Sequence, residues 1–115
     1  MYLRYITSIK KRFYFLVLLA KEGSPVDTEL HVLAQKLALD WKRVGRRLKI
    51  EEAKITKFHE DNNELDEKAY QMLLYWKRRD GVTATYQVLN SALCHKLVNR
   101  KDLAEEFCLA DTSRS

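Results

Sequence analysis

Three histidines and two cysteines are the side chains of this sequence whose types could support catalysis or metal binding. Cys94 and His95 are adjacent, which suggests a metal ligand or a nucleophile beside a base. A zinc site needs three or four ligands at a workable spacing, and only Cys108 offers a third. His31 and His59 lie elsewhere along the chain, with no serine or cysteine placed beside them. We therefore expect no catalytic site, no metal and no cofactor, and we interpret both cysteines as small buried side chains.

A cluster of cations is the next chemical feature, and it lies on one short predicted helix. Its members are Lys42, Arg43, Arg46, Arg47 and Lys49. Residues four apart are neighbours on a helix, so these charges repel one another unless an anion lies nearby. Three interpretations stay open: a solvated helix face, a surface for acidic protein, or a surface for nucleic acid phosphates. No series of exposed aromatic residues accompanies the cations to stack on bases, which argues against nucleic acid.

An acidic cluster follows further along the sequence. It comprises Glu60, Asp61, Glu64, Asp66 and Glu67. Opposite charges on different sides of one small domain suit head-to-tail association, which builds open assemblies because it does not close on itself. The two clusters together therefore predict binding between copies of the chain, or to a domain of similar kind.

The composition indicates that helices position both clusters. The chain has 115 residues, of which 46% are hydrophobic, so it is long enough for one domain with a single core. One proline and three glycines are too few for the tight turns of a β-sandwich or barrel. The net charge of +5 suits acidic protein, anionic lipid or nucleic acid as a partner. Two cysteines are too few for a disulfide framework, which favours a cytosolic location.

The first 23 residues form a segment of their own. Apolar residues recur at three- and four-residue steps over residues 3–20, which predicts an amphipathic helix. The apolar run 13–20 is far shorter than the roughly 20 residues that a membrane-spanning helix needs. A basic stretch at residues 10–12 precedes this run, so a signal peptide is the alternative, although no clear cleavage site follows. We expect the segment to dock on the main domain or on a neighbouring module.

Two short helices are expected directly after this segment. Ser24 suits the N-cap of the first helix and Pro25 its first position, and the apolar stripe of residues 30–37 gives it an inward face. Asp40 suits the N-cap of the second helix, which turns Trp41 inward. The second helix carries the basic cluster on its other face.

A third and a fourth helix are expected next. Residues 50–58 predict the third, and the polar run of residues 59–64 predicts a loop after it. The fourth begins at Leu65, carries Trp76 on its apolar face and ends at the Asp-Gly pair of residues 80–81. Acids lie in its first turn and cations in its last, which is the order that the helix dipole favours.

The last two helices are short. Thr83 or Thr85 caps the fifth, and residues 103–108 predict the sixth. The expected core face of the fifth helix comprises Val88, Leu89, Ala92, Leu93 and Leu97. Residues 111–115 are expected to fray. No alternation typical of strands occurs, so the sequence predicts an all-helical bundle.

Two motifs in this pattern resemble those of a known family. Residues 33–48 read LAQKLALDWKRVGRRL, which is similar to the LAxxLGxDWxxLARxL pattern of death domains. Residues 76–85 read WKRRDGVTAT, which resembles the WxxRDGxxAT turn of ankyrin-type death domains. Leu39 replaces the glycine that usually ends the first helix, so we expect that turn to differ. The resemblance covers roughly residues 26–108.

The resemblance implies an all-α fold, a six-helix antiparallel Greek-key bundle, and the apolar spacing of residues 3–20 adds an extra N-terminal amphipathic helical segment to it. It divides the chain into a connector (1–23), a death domain (24–110) and a disordered tail (111–115). It implies a non-catalytic module that recruits other death-fold proteins, homotypically or heterotypically, in signalling such as apoptosis or inflammation. The ankyrin-type turn adds an expectation of ankyrin repeats upstream. A basic helical nucleic-acid-binding domain stays as the alternative.

The resemblance also assigns partner-binding residues by position. Domains of this family bind through charged surfaces on the second and third helices, which meet the first and fourth helices and the loops of a partner. The corresponding residues here are Lys42, Arg43, Arg46, Arg47, Asp61, Glu64, Lys77, Arg78, Arg79 and Asp80. We expect the cations of the second helix to bind protein and not to hold the fold.

Overall fold

A computed structural model describes residues 20–110, most of which are helical. The α-helices are α1 (Asp27–Leu37), α2 (Trp41–Arg47), α3 (Glu52–Asp61), α4 (Leu65–Asp80), α5 (Tyr86–Cys94) and α6 (Lys101–Cys108). Single 3-10 turns, Ala38–Asp40 and Gly81–Thr83, follow α1 and α4. The described range contains no β-strand, only an isolated antiparallel bridge between Ala20 and Leu109. The expected all-α bundle is confirmed.

Helix α4 is the longest helix and packs against α1, α2 and α3. Helices α5 and α6 pack on each other, and they meet the rest of the bundle through α2 and α1. Trp76 on α4 is fully buried and Trp41 on α2 nearly so, as the sequence predicts. Because burying one large apolar side chain contributes about 1.5–3 kcal/mol, the inward faces of these helices supply most of the driving force for folding.

Helix α1 begins two residues later than the sequence predicts. Its N-cap is Val26, not Ser24, and its first helical residue is Asp27, not Pro25. Valine has no side-chain acceptor, and Glu29 supplies the cap instead: its Oε1 accepts a hydrogen bond from the Val26 N–H at 3.2 Å. A carboxylate at the third helical position can reach back in this way, so Glu29 determines where the helix begins. The expectation that Ser24 caps the helix and Pro25 is its first residue is wrong.

The turn after α1 departs from the expectation for Leu39. The residue with left-handed backbone is Ala38, at φ 51° and ψ −123°, whereas Leu39 lies in the 3-10 turn with its side chain 83% exposed. Aligned on Leu37 and Asp40, the family pattern also has its glycine at position 38. This chain therefore differs from the family pattern in having an alanine at position 38, in a conformation that favours glycine.

Helix α3 is longer than the sequence predicts. It continues to Asp61, so half of the polar run that predicted a loop is helical and only residues 62–64 connect α3 to α4. Side chains satisfy the carbonyl oxygens at its end: Asn62 Nδ2 donates to Phe58 O at 3.0 Å, and Lys68 Nζ donates to His59 O at 2.6 Å. Such capping lets a polar run finish a helix in place of a loop.

The face of α5 that enters the core is narrower than expected. Leu89, Ala92 and Leu93 are buried, but Val88 is 41% exposed and Leu97, which lies beyond the end of α5, is 56% exposed. The prediction that these two are core residues is wrong. Thr85 is the cap that the structure uses, because its hydroxyl accepts from the Val88 N–H at 3.2 Å. That cap fixes the start of α5.

Residues 20–23 pack along the bundle instead of leading away from it. The Lys21 N–H donates to Cys108 O at 2.7 Å, and the Tyr86 N–H donates to Gly23 O at 3.0 Å. The chain is thus attached to both α6 and α5 before α1 begins. The amphipathic helix expected over residues 3–20 falls almost wholly outside the described residues, as does the tail 111–115. No helix in the described range combines the length and the hydropathy that crossing a bilayer requires.

Candidate protein-interaction surface

Helix α2 presents the basic cluster because its other face is buried in the core. Trp41, Val44 and Gly45 are its buried residues. A Cβ added at Gly45 would lie 3.4 Å from side-chain atoms of both Ile55 and Met72, so α2 approaches α3 and α4 closely at this point. The four remaining positions of this seven-residue helix are all cations: Lys42, Arg43, Arg46 and Arg47.

Two of these cations form exposed ion pairs. Arg46 Nε donates to Glu52 Oε2 at 2.9 Å, and Arg43 Nη1 lies 3.5 Å from Asp40 Oδ1. The hydrogen bond from Arg46 holds the pKa of Glu52 below its ordinary value. Exposed pairs of this kind add little to stability because water screens them. Both arginines are therefore able to exchange their acids for a partner's carboxylate.

Arg47 differs from its neighbours. Its side chain is half-buried, and its Nη1 lies 3.4 Å from His95 Nε2, at the end of α5. Among residues 20–110 no carboxylate forms an ion pair with Arg47. Two adjoining grooves, of about 280 and 510 Å³, run beside it, and Arg46 and Arg47 line both. The basic surface of α2 is thus a groove against α5 and the segment after it, and not a flat helix face.

The predicted contact residues at the end of α4 have varied roles. Arg79 Nη2 donates to Leu48 O at 2.7 Å and Nη1 to Lys49 O at 2.8 Å, so this side chain satisfies carbonyl oxygens at the end of α2. The same guanidinium lies against Asp80 and lowers the pKa of that carboxyl. The internal contacts place Arg79 and Asp80 in the joint between α2 and α4.

The other two cations at this end lie further out. Lys77 Nζ donates to Asp27 Oδ1 at 2.7 Å, joining the end of α4 to the start of α1 and lowering the pKa of Asp27. Arg78 is exposed, and it borders a groove of about 420 Å³ with the aromatic rings of Phe58 and Tyr75. Of the four predicted residues here, Arg78 is the one whose side chain is most open to a partner.

The acidic residues gather where α3 meets α4, and we call this group the acidic corner: Glu60, Asp61, Glu64, Asp66 and Glu67. Asp61 pairs with Lys57 at 3.0 Å, one turn earlier on α3. Glu64 is the N-cap residue of α4, but its exposed side chain makes no capping bond. Since α3 has ten residues and Glu52 at its start pairs with Arg46, about 15 Å of helix separates the acidic corner from the basic groove.

The cysteines and histidines do not assemble into a reactive site within the described part of the chain. Burial raises the pKa of the Cys108 thiol to about 12 and also raises that of Cys94. Both thiols therefore stay protonated near neutral pH, and a thiol is a far weaker nucleophile than a thiolate. Over residues 20–110, no three His, Cys, Asp or Glu side chains come close enough to hold a metal ion.

His95 is a surface residue whose position the sequence does not reveal. Its position next to Cys94 suggests a metal ligand or a base, but the structure places its ring against Arg47 of α2, 48 positions earlier. The apolar side chains of Val88 and Leu97 border the same surface. The spacing within α5 does not predict this exposure of Val88, because Val88 lies one turn before the buried Ala92 on the same helix.

The family follows from this arrangement together with one comparison. The helices, the two buried tryptophans and the exposed charges agree with the motifs at residues 33–48 and 76–85, and a family model of the death domain matches residues 27–108. The chain belongs to the death domain family. The match covers more than two thirds of the sequence, and no curated protein matches the chain. Death domains are non-catalytic modules that bind other death-fold proteins.

Proposed function

We propose that this death domain is a signalling module that recruits death-fold proteins, including copies of itself, through its basic groove and its acidic corner. The observation that carries the proposal is the separation of the two charges. Cations of α2 and acids of the corner lie at opposite ends of α3, about 15 Å apart, so neither neutralises the other within one molecule. Such complementary patches attract a partner over a distance and fix its orientation.

Within the predicted contact set, we assign partner binding to the residues that the fold leaves accessible: Lys42, Arg43, Arg46, Arg47, Asp61, Glu64, Lys77 and Arg78. Arg79 and Asp80 hold the joint between α2 and α4, so we assign them a supporting part. This division rests on the hydrogen bonds that Arg79 makes to backbone oxygens, which a partner would have to break.

We further infer that the domain acts inside the cell, in signalling of the apoptotic or inflammatory kind. The free state of both described cysteines supports an intracellular location. The turn sequence WKRRDGVTAT at residues 76–85 supports a parent protein with ankyrin repeats upstream. Residues 1–23 would then connect those repeats to the domain, which we place at residues 24–110.

Nucleic acid is the alternative partner, and the basic groove is the observation that favours it. Among the residues that line the groove, His95 has the only ring that could stack on a base. A single ring is a poor platform for single-stranded nucleic acid, which proteins bind with several aromatic side chains. Acidic protein therefore fits the groove better.

Two binding titrations test the proposal together. A labelled copy of the chain is titrated with unlabelled chain and with a panel of other death domains, and separately with a duplex DNA, each from 50 to 300 mM salt. We expect saturable binding to at least one death domain at the salt concentration of a cell, and loss of any DNA binding there, because phosphate contacts weaken steeply with salt. DNA binding that persists while every protein fails to bind would reverse the choice.

A further inference from the structure

The groove between α2 and α5 lacks an acid of its own. Arg43, Arg46 and Arg47 line its smaller part, and Lys49 joins Arg46 and Arg47 in its larger part. No carboxylate belongs to the lining of either part. Arg43 and Arg46 pair with Asp40 and Glu52, which do not line the groove. Arg47 and Lys49 have no such pair within residues 20–110, so an anionic ligand would stabilise this arrangement.

Arg47 and His95 meet in the larger part of this groove. His95 Nδ1 accepts a hydrogen bond from the Leu97 N–H at 3.0 Å, so the proton of the neutral ring lies on Nε2. The Nε2–H and the Arg47 Nη1–H are then both donors, 3.4 Å apart, and neither can accept from the other. A carboxylate oxygen lying beside the two nitrogens, about 3 Å from each, would accept from both.

The acidic corner offers the complementary group. In the described residues the carboxylates of Glu60 and Glu64 form no ion pair, and both side chains are exposed. Asp61 in contrast is occupied by Lys57. The chain thus has half-buried Arg47 without a carboxylate at one end of α3, and exposed glutamates without a cation at the other.

We propose that the basic groove receives the acidic corner of a second copy of this chain, with the Glu64 carboxylate accepting hydrogen bonds from Arg47 and His95. The inference rests on the proposed function and makes it specific. The contact is between different surfaces of the two copies, so each bound copy leaves one groove and one corner free and the assembly grows as an open chain. Binding within one molecule is excluded because α3 holds its own corner about 15 Å from its own groove.

Apolar side chains beside the groove favour a protein occupant over a free anion or a nucleic acid. Val88 and Leu97, 41% and 56% exposed, flank the two parts of the groove. A folded corner can cover such side chains while its carboxylate enters the groove, and a phosphate or sulfate ion cannot. Interfaces of this kind combine a charged anchor with a surrounding surface that excludes water.

A double-mutant cycle on self-association tests the proposal. Sedimentation velocity over a range of concentrations gives the association constant of the full chain, of Arg47→Gln, of Glu64→Gln and of the variant with both changes. We expect each single change to weaken association about 10-fold or more, and the double change to weaken it no further, because both remove the same contact. Lys96→Gln is the matched control: it removes the same charge next to His95 but outside the groove, and we expect a change below about 2-fold.

Several outcomes would overturn the proposal. Single changes that leave association intact, or whose effects multiply in the double variant, would show that Arg47 and Glu64 do not meet. A chain that stays monomeric at all concentrations while another death domain binds it would refute the second copy as occupant and leave the proposed function standing. An Arg47→Gln variant that loses DNA binding but keeps protein binding would assign the groove to nucleic acid.

Discussion

Single side chains join parts of this domain that are distant in sequence, and Glu29 does so with three hydrogen bonds. Its carboxylate accepts hydrogen bonds from the Val26 N–H, from Lys21 Nζ at 3.0 Å and from the Tyr86 hydroxyl. Burial alone would raise the pKa of Glu29, but the three hydrogen bonds outweigh it and the pKa is lowered. Burial and the same carboxylate raise the pKa of Tyr86 to about 12, so the phenol keeps its proton and donates. One carboxylate thereby links residue 21, the start of α1 and the start of α5 to one another.

Removing the charge of Glu29 should destabilise the domain in a pH-dependent manner. A carboxyl whose pKa is lowered on folding stabilises the fold above its ordinary pKa of 4.5, and that contribution is lost as the pH falls through the lower, folded value. We expect Glu29→Gln to cost about 1–3 kcal/mol at pH 7, as loss of hydrogen bonds to a charged group does. Urea unfolding from pH 7 to pH 3 should show the difference between the two proteins shrinking below pH 4.5. A difference that is constant with pH would mean that Glu29 acts through packing and not through its charge.

Arg79 makes a second contact between residues distant in sequence, and the adjacent Arg78 provides a control. Arg79→Met should lower the free energy of unfolding by about 1–3 kcal/mol, because the backbone oxygens of Leu48 and Lys49 lose a charged donor. Arg78→Met removes the same charge from an exposed position and should change it by less than about 0.5 kcal/mol. Equal effects of the two changes in urea unfolding would refute a structural part for Arg79.

Among the elements, helices α1 and α4 end with the same backbone conformation but with different residues. Ala38 follows α1 at φ 51° and ψ −123°, and Gly81 follows α4 at φ 56° and ψ −123°. Glycine adopts this region freely, whereas a Cβ makes it strained by on the order of 1–3 kcal/mol. The first helix therefore ends under strain that the fourth avoids.

Exchanging the residue types at these two helix ends should shift stability in opposite directions. Ala38→Gly should stabilise the domain by about 1 kcal/mol, and Gly81→Ala should destabilise it by about the same amount or more. For a domain of this size, 1 kcal/mol corresponds to a change in Tm of about 4–8 °C, which calorimetry resolves. A fall in Tm for Ala38→Gly would show that Ala38 does not hold a positive φ in solution.

The helices could be predicted from the sequence wherever a strong local signal exists. The apolar spacing of α4, its charge order and the Asp80-Gly81 stop placed that helix correctly at both ends. Errors occurred where a side chain several residues away, or from another helix, decides the outcome. Lys68 of α4 satisfies the end of α3, so the polar run there is helical, and Glu29 replaces the expected cap at Ser24.

For the whole molecule, the all-α fold and the two charged clusters could be predicted, but the shape of the surface could not. Sequence spacing places Arg43, Arg46 and Arg47 on one helix, yet it does not show that α5 lies alongside and converts their face into a groove. Nor does it show that Arg79 turns inward to the end of α2. Both facts depend on the packing of helices that are far apart in the sequence.

We infer that the exposed charges on α2 bind protein and do not hold the fold. Reversing three of them, with Arg43, Arg46 and Arg47 each changed to Glu, should leave helicity nearly intact, since exposed changes shift stability by only about 0.5 kcal/mol each. The largest losses of stability are expected at Arg47, which is half-buried, and at Arg46, which pairs with Glu52. A melting temperature close to that of the unchanged chain shows that the triple variant is folded and fit for binding studies.

The most direct test is sedimentation velocity of this triple variant alone and mixed with a copy that carries Asp61→Lys and Glu64→Lys. We expect the triple variant to lose self-association, because its glutamates now face the acidic corner of the next copy. We also expect the mixture to regain association, since the lysines of the second copy restore opposite charges. Unchanged association of the triple variant, or a folded mixture that stays monomeric although the unchanged chain associates, would contradict that inference.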